Sequence, residues 1–167
     1  MIKKLQIINT GGTFNKVYMP LKGTLDILCS NDAILSIYKN VYKTNSYPKI
    51  DGIIYKDSLD IRKSDRKLLL KQIKSIKIDN IIIIHGTDTI NKTASYLAKR
   101  VKDKKIVLIG AMQPFSYEPI EATASLMMAT GFLNAKVKNN IYICMNGLVK
   151  KHNKIKKNYT KGVFECQ

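Results

Sequence analysis

Residues 81–89 read Ile-Ile-Ile-Ile-His-Gly-Thr-Asp-Thr, and this stretch decides the fold. Four isoleucines in a row are apolar at every position, not at every second one. Such a run predicts a strand buried on both faces, as in a parallel sheet with helices on either side. Small polar residues end it, and a helix is expected from about Asn91 to Val101, with Ala94, Leu97, Ala98 and Val101 on one side.

The same alternation continues in both directions. Upstream, Leu5 to Ile8 and Ile50 to Tyr55 read as strands; residues 31–38 and Ser64 to Ile76 carry helical spacing, the first capped by Asn31 or Asp32. Downstream, Ile106 to Ile109 and Ile141 to Met145 read as strands around a long helix from Pro119 to Ala135, with Pro119 in its first turn. Val149 to Gln167 reads as a basic loop with a short strand at Gly162 to Phe164. Buried strands separated by amphipathic helices predict an α/β fold: a doubly wound, mostly parallel sheet, a Rossmann-like three-layer sandwich, in a single domain over residues 1–167.

Composition narrows the function classes. The 167 residues carry 29 Lys and Arg against 12 Asp and Glu, a net charge of +17. The lysines are spread along the polar sides of apolar patterns, and only Lys150 to Lys161 is dense, with Tyr159 as its sole aromatic. We read a solvated basic surface rather than a nucleic-acid surface, so no nucleic-acid partner is expected. No apolar run approaches the ~20 residues that cross a bilayer, and the opening MIKKLQIINTGG lacks a signal-peptide core, so no membrane partner is expected. Cys29, Cys144 and Cys166 are odd in number and widely spaced, fitting neither a metal site nor a disulfide framework. A reducing cytoplasm is the expected setting, with no metal and no cofactor.

Ligands of open parallel sheets bind beyond the carboxyl ends of the strands. Three small, polar clusters fall there: Thr10-Gly11-Gly12-Thr13, His85-Gly86-Thr87-Asp88-Thr89 and Gly110-Ala111-Met112-Gln113-Pro114. Each has a bland alternative, a tight turn for the first and a helix cap for the second. One residue suffices for a cap, however, whereas the second cluster offers three oxygen-bearing side chains and His85. His85 itself reads as structural. Neither GxxxxGK[ST] nor GxGxxG is present, which disfavours nucleotide chemistry.

Taken together, these clusters resemble the bacterial-type asparaginase/glutaminase family. Its TGGT motif is matched by Thr10 to Thr13, its HGTDT by His85 to Thr89, its GAMRP by Gly110 to Pro114 and its MND stretch by Met145-Asn146. The resemblance implies hydrolysis of the side-chain amide of asparagine, or a related small amide, to acid and ammonia. It assigns Thr13 as the nucleophile, with Thr87, Asp88 and Lys157 as the activating set and Lys156 as the alternative lysine. A threonine hydroxyl needs a base to become nucleophilic. Tyr18 matches the family tyrosine that activates the nucleophile; its alternative is a packing residue. Ser58 matches a serine that binds the substrate carboxylate; its alternative is a loop or cap. Gly12, Gly86 and Ala111 line the substrate, and backbone amides near Thr13, Thr87 and Ala111 are candidates to stabilise the oxyanion.

The sequence also departs from the family. Leu59 stands where the family has Gln or Glu, GAMRP has become GAMQP, and the loop after Thr13 is short. The chain corresponds to the family's N-terminal domain, with the C-terminal domain expected to be absent. A homodimer or larger homo-oligomer is expected to wall the site. The alternative function is a weak or inactive homologue that binds a ligand or partner.

Overall fold

A computed structural model of the protein describes residues 4–42 and 47–167. Residues 1–3 of the opening stretch lie outside the described residues. The elements in chain order are β1 (Leu5–Gly11), β2 (Lys16–Met19), β3 (Thr24–Ile27), α1 (Asp32–Tyr42), β4 (Lys49–Lys56), α2 (Lys63–Ser75), β5 (Asn80–Ile84) and α3 (Ile90–Ala98). They continue with β6 (Lys105–Ile109), α4 (Pro119–Asn134), β7 (Asn140–Met145), β8 (Leu148–Lys151), β9 (Ile155–Asn158) and β10 (Val163–Cys166).

The main sheet has six strands in the order β4-β1-β5-β6-β7-β8. Its first five strands pair in parallel, and β8 is an antiparallel edge on β7. The isoleucine run explains the layering. Side chains alternate across a strand, so Ile82 and Ile84 join one core with α1 and α4, while Ile81 and Ile83 join the other with α2 and α3. All four are 0% exposed. The fold class is therefore the doubly wound α/β sandwich expected.

Strand order reverses direction between β1 and β5: the chain goes from β1 outward to β4, then crosses back to β5 and proceeds to β6 and β7. Adjacent loops that leave a sheet in opposite directions open a crevice at its carboxyl edge. The Thr10–Thr13 and His85–Thr89 clusters stand on either side of that crevice.

Three stretches differ from the sequence reading. β1 runs on to Gly11 because a bulge between Asn9 and Gly11 lets it stay paired with β4. The segment after Thr13 forms the β2–β3 hairpin, a separate ribbon. The tail holds three strands instead of a loop and one strand. β7 turns into β8 through Asn146 and Gly147, both at positive φ (49° and 76°), the signature of a tight hairpin turn. β9 and β10 form a second hairpin that buries one apolar side chain from each strand, Ile155 and Phe164. In a stretch dominated by lysine, single apolar residues give too little periodicity to read as strands.

Candidate active site

The rim of the crevice is built by glycines. Gly12 sits at φ 78°, and a Cβ there would lie 2.5 Å from both Gly86 N and Cα. The first two loops therefore touch backbone to backbone, and a side chain on Gly12 would force them apart. Gly86 is pressed in turn against Ser58, and Gly110 against His85 O and the Thr87 methyl. These contacts hold Thr13, Thr87, Ser58 and the Ala111 loop in one place. Thr13 begins a short 3-10 turn and is half-buried. Among the described residues nothing hydrogen-bonds its hydroxyl.

Lys157 arrives at this rim from 70 residues further along the chain. Its Nζ donates to Thr87 Oγ1 at 2.8 Å and to Asp88 Oδ1 at 2.5 Å. The Lys157 side chain is 9% exposed and that of Asp88 34%. Lys156, its neighbour on β9, is exposed. The parity of a strand makes this choice: consecutive residues point to opposite faces, and burial of Ile155 fixes which face is inward. The hairpin is tied down by Asn91 Nδ2 donating to Ile155 O (2.7 Å) and by Phe164 N–H donating to Asn146 Oδ1 (2.8 Å). Tyr159, which the sequence reading left as an isolated aromatic, donates its hydroxyl to Asp88 O at 2.8 Å, and its ring lies 5.3 Å from the Lys157 ammonium.

Beneath the rim lies a buried polar network in which the sequence pointed to His85, Thr89 and Ser58 but not to Arg66 or Thr93. His85 is 0% exposed; its Nδ1 contacts Gly86 O at 2.8 Å and its Nε2 contacts Thr93 Oγ1 at 2.9 Å. Burial pulls its pKa down from 6.5 to about 4, so the ring is neutral at neutral pH. The structural role expected for His85 fits these contacts. Arg66, from α2, donates to Thr93 Oγ1, Ile61 O and Thr89 Oγ1 at 2.9, 2.9 and 3.3 Å. Thr89 in turn donates its hydroxyl to Ser58 O (2.7 Å) and its N–H to Ser58 Oγ (3.3 Å). An arginine in α2 with polar residues around it carries no sequence signal of burial.

The remaining candidates fall in different places. Ser58 is 1% exposed, with its hydroxyl engaged at the start of α3. Leu59 beside it is 72% exposed. Tyr18 stands on the β2–β3 ribbon, 51% exposed, and no hydrogen bond joins it to Thr13. At that exposure it is not a half-buried packing residue. Ala111 is buried, but the amides that follow it, Met112 and Gln113, both donate to the Glu121 carboxylate at 2.9–3.2 Å. Glu121 thus takes two N–H groups out of reach of any ligand. An apolar cavity of about 290 Å³ beside the Thr13 turn is lined by Phe14, Val17, Leu28 and Phe115, and none of Thr13, Thr87, Asp88 or Lys157 lines it. Among the described residues no group of three His, Cys, Asp or Glu could hold a metal, and no helix is long and apolar enough to cross a membrane.

Comparison with known proteins follows this geometry. The family model described as Asparaginase, N-terminal matches residues 4–165. L-asparaginase 2 of Bacillus subtilis (strain 168) is 28% identical over 155 residues, covering 85% of this chain and 40% of the relative. The glutaminase-asparaginase of Acinetobacter glutaminasificans is 26% identical over 149 residues, covering 84% of this chain and 45% of the relative. The thermostable L-asparaginase from Thermococcus kodakarensis superposes with a TM-score of 0.82 at 25% identity, over 97% of this chain and 50% of that one. The chain therefore spans half or less of the length of each of these proteins.

Proposed function

The chain belongs to the asparaginase family, through the family's N-terminal domain, and on that premise we propose that it is an amidohydrolase acting on L-asparagine or a related small amide. One observation carries the proposal: Lys157 donates to both Thr87 Oγ1 and Asp88 Oδ1 at the crevice where Thr13 also stands. Packing alone does not require a lysine, a threonine and an aspartate to converge on a ligand-binding edge. The relatives named L-asparaginase and glutaminase-asparaginase support the substrate class.

In this mechanism the Thr13 Oγ attacks the amide carbon, and its proton leaves through the Thr87–Lys157–Asp88 set. The same set returns that proton to the amide nitrogen as the C–N bond breaks, ammonia departs, and water then hydrolyses the ester on Thr13 to the free acid and threonine. Asp88 holds Lys157 in position, and Tyr159 holds the Asp88 backbone. Because Glu121 occupies the amides of Met112 and Gln113, and Lys56 O that of Gly12 (3.0 Å), the oxyanion is assigned to the amides of Thr13 and Thr87. Tyr18, off this set, has no step in it. The test is ammonia release from asparagine, glutamine and a simple amide, with Thr13→Ala as the control. Release equal to that control would overturn the proposal.

A second reading, a homologue that binds its ligand without turning it over, draws on the exposed side chains of Leu59 and Tyr18. In that case L-aspartate binds while ammonia release stays at the control level. A homodimer or larger assembly that walls the open rim belongs to either reading, and light scattering at micromolar concentration tests it.

A further inference from the structure

Arg66 is 5% exposed, yet among the described residues no carboxylate forms an ion pair with it. The acids nearby are committed elsewhere. Asp65, its neighbour on α2, pairs with Lys56 Nζ at 2.9 Å and accepts the Arg62 N–H at 2.8 Å. Asp57, on the turn that carries Ser58, pairs with Lys16 at 2.8 Å. Asp88 pairs with Lys157. The lysines on this wall each have an acid; the arginine has only hydroxyls and a carbonyl. Asp65 favours the Arg66 charge from nearby, but it is shared with Lys56, and a shared acid and fixed dipoles offset the cost of burying that charge only in part.

The guanidinium does not reach the rim itself. It acts on Thr89, whose hydroxyl passes on to Ser58 O and whose N–H meets Ser58 Oγ. Arg66 thus polarises the two groups that form this wall of the crevice. It also grips Thr93, which holds the His85 ring and so the backbone just ahead of Thr87.

We infer that Arg66 is a positioning and specificity residue: through Thr89 it fixes the Ser58 wall, and its unpaired charge favours substrates that bring a negative group to that wall. The inference rests on the amidohydrolase reading for where the substrate lies. A ligand carboxylate seated there adds to the counter-charge that Asp65, shared with Lys56, supplies only in part, whereas a neutral amide gains nothing from it. A lysine at position 66 keeps the charge and loses the planar fork that serves three acceptors, so it separates charge from geometry.

The experiment is calorimetric titration of the purified protein, Arg66→Gln and Arg66→Lys with L-aspartate and, separately, with propionamide as a carboxylate-free probe. Circular dichroism and thermal melting of each variant establish that it is folded. We expect Arg66→Gln to weaken L-aspartate binding by about tenfold, a charge effect relayed through Thr89 and Ser58, with propionamide unchanged. Arg66→Lys is expected to keep L-aspartate binding within about threefold. If Arg66→Gln does not fold, a folded Arg66→Lys that loses L-aspartate and propionamide alike overturns the charge role. Equal loss of both probes in Arg66→Gln, no loss of either, or a wild-type chain that binds no L-aspartate also overturns it. Ammonia release is read in parallel. A wild-type chain that binds L-aspartate but releases no ammonia fails the hydrolytic reading and leaves this one standing. Release from asparagine with an unchanged KM in Arg66→Gln overturns this one alone.

Discussion

The two loops that flank the crevice are built in opposite ways. On the β5 side, residues 85–87 are buried, and the glycine contacts, the His85–Thr93–Arg66 network and the Lys157 contact all converge there. On the β1 side, the chain leaves Thr13 for the β2–β3 ribbon, where Tyr18, Leu21 and Leu25 are 51%, 103% and 48% exposed. Among the described residues the ribbon's two strands pair as a sheet only with each other, and the ribbon is tied to the domain at its base, where Lys16 pairs with Asp57 and its carbonyl accepts from Ser116 Oγ. A group that must hold a reacting atom within a fraction of an ångström belongs on the first kind of support. The contrast assigns chemistry to the β5 side and to Thr13, which is pinned by Gly12, and leaves the ribbon the less determined wall.

The contrast can be broken at its strongest point first. Thr13→Ala should reduce ammonia release to background, because no other hydroxyl replaces the nucleophile; detectable turnover in this variant would move the attack elsewhere. Next, Lys157→Met should lower kcat by on the order of 10³-fold while Lys156→Met leaves it unchanged, since the two lysines point to opposite faces of β9. Equal effects, measured by steady-state kinetics, would show that the tail hairpin does not serve the site.

A third measurement probes the rigidity of the β5 side. His85 has its pKa depressed from 6.5 to about 4 by burial. Between those values the unfolded chain binds more protons than the folded one, so stability rises with pH across this window. It is fully present above 6.5 and is lost as pH falls toward 4. The loss from this group is on the order of 3 kcal/mol, and His85→Gln should flatten that part of the denaturation-versus-pH curve. An unchanged curve would mean that the ring is not neutral in the fold. The smallest effect is expected on the ribbon: Tyr18→Phe should lower kcat/KM by no more than about threefold. A larger fall would show that the ribbon closes over Thr13 during turnover and would erase the contrast.

Part of this protein is written in its sequence alone. The isoleucine run at 81–84 dictated a strand buried on both faces, and the apolar spacing of α1 to α3 dictated helices to cover it, with Pro119 marking the start of α4. Both are local periodicities, legible without knowing what lies across the interface. Thr13, Thr87 and Asp88 were legible for a similar reason: each lies in a short cluster at the end of a strand. Asn146-Gly147 carries a local signal of the same kind, an Asn-Gly pair between two strands, but the sequence reading takes Asn146 only with Met145 as part of a motif and passes over the turn.

Tertiary structure decided the rest. Which lysine of Lys156 and Lys157 faces Thr87 depends on the face that Ile155 presents to the core, and that is settled by packing across the whole domain. Arg66 is buried because α2 lies against α3 and the turn at Ser58, although its own neighbours in sequence, Asp65 and Lys67, are both charged. Glu121 withdraws the Met112 and Gln113 amides because α4 starts beneath the β6 loop. Burial and charge pairing are properties of distant segments brought together, so no window of the sequence contains them.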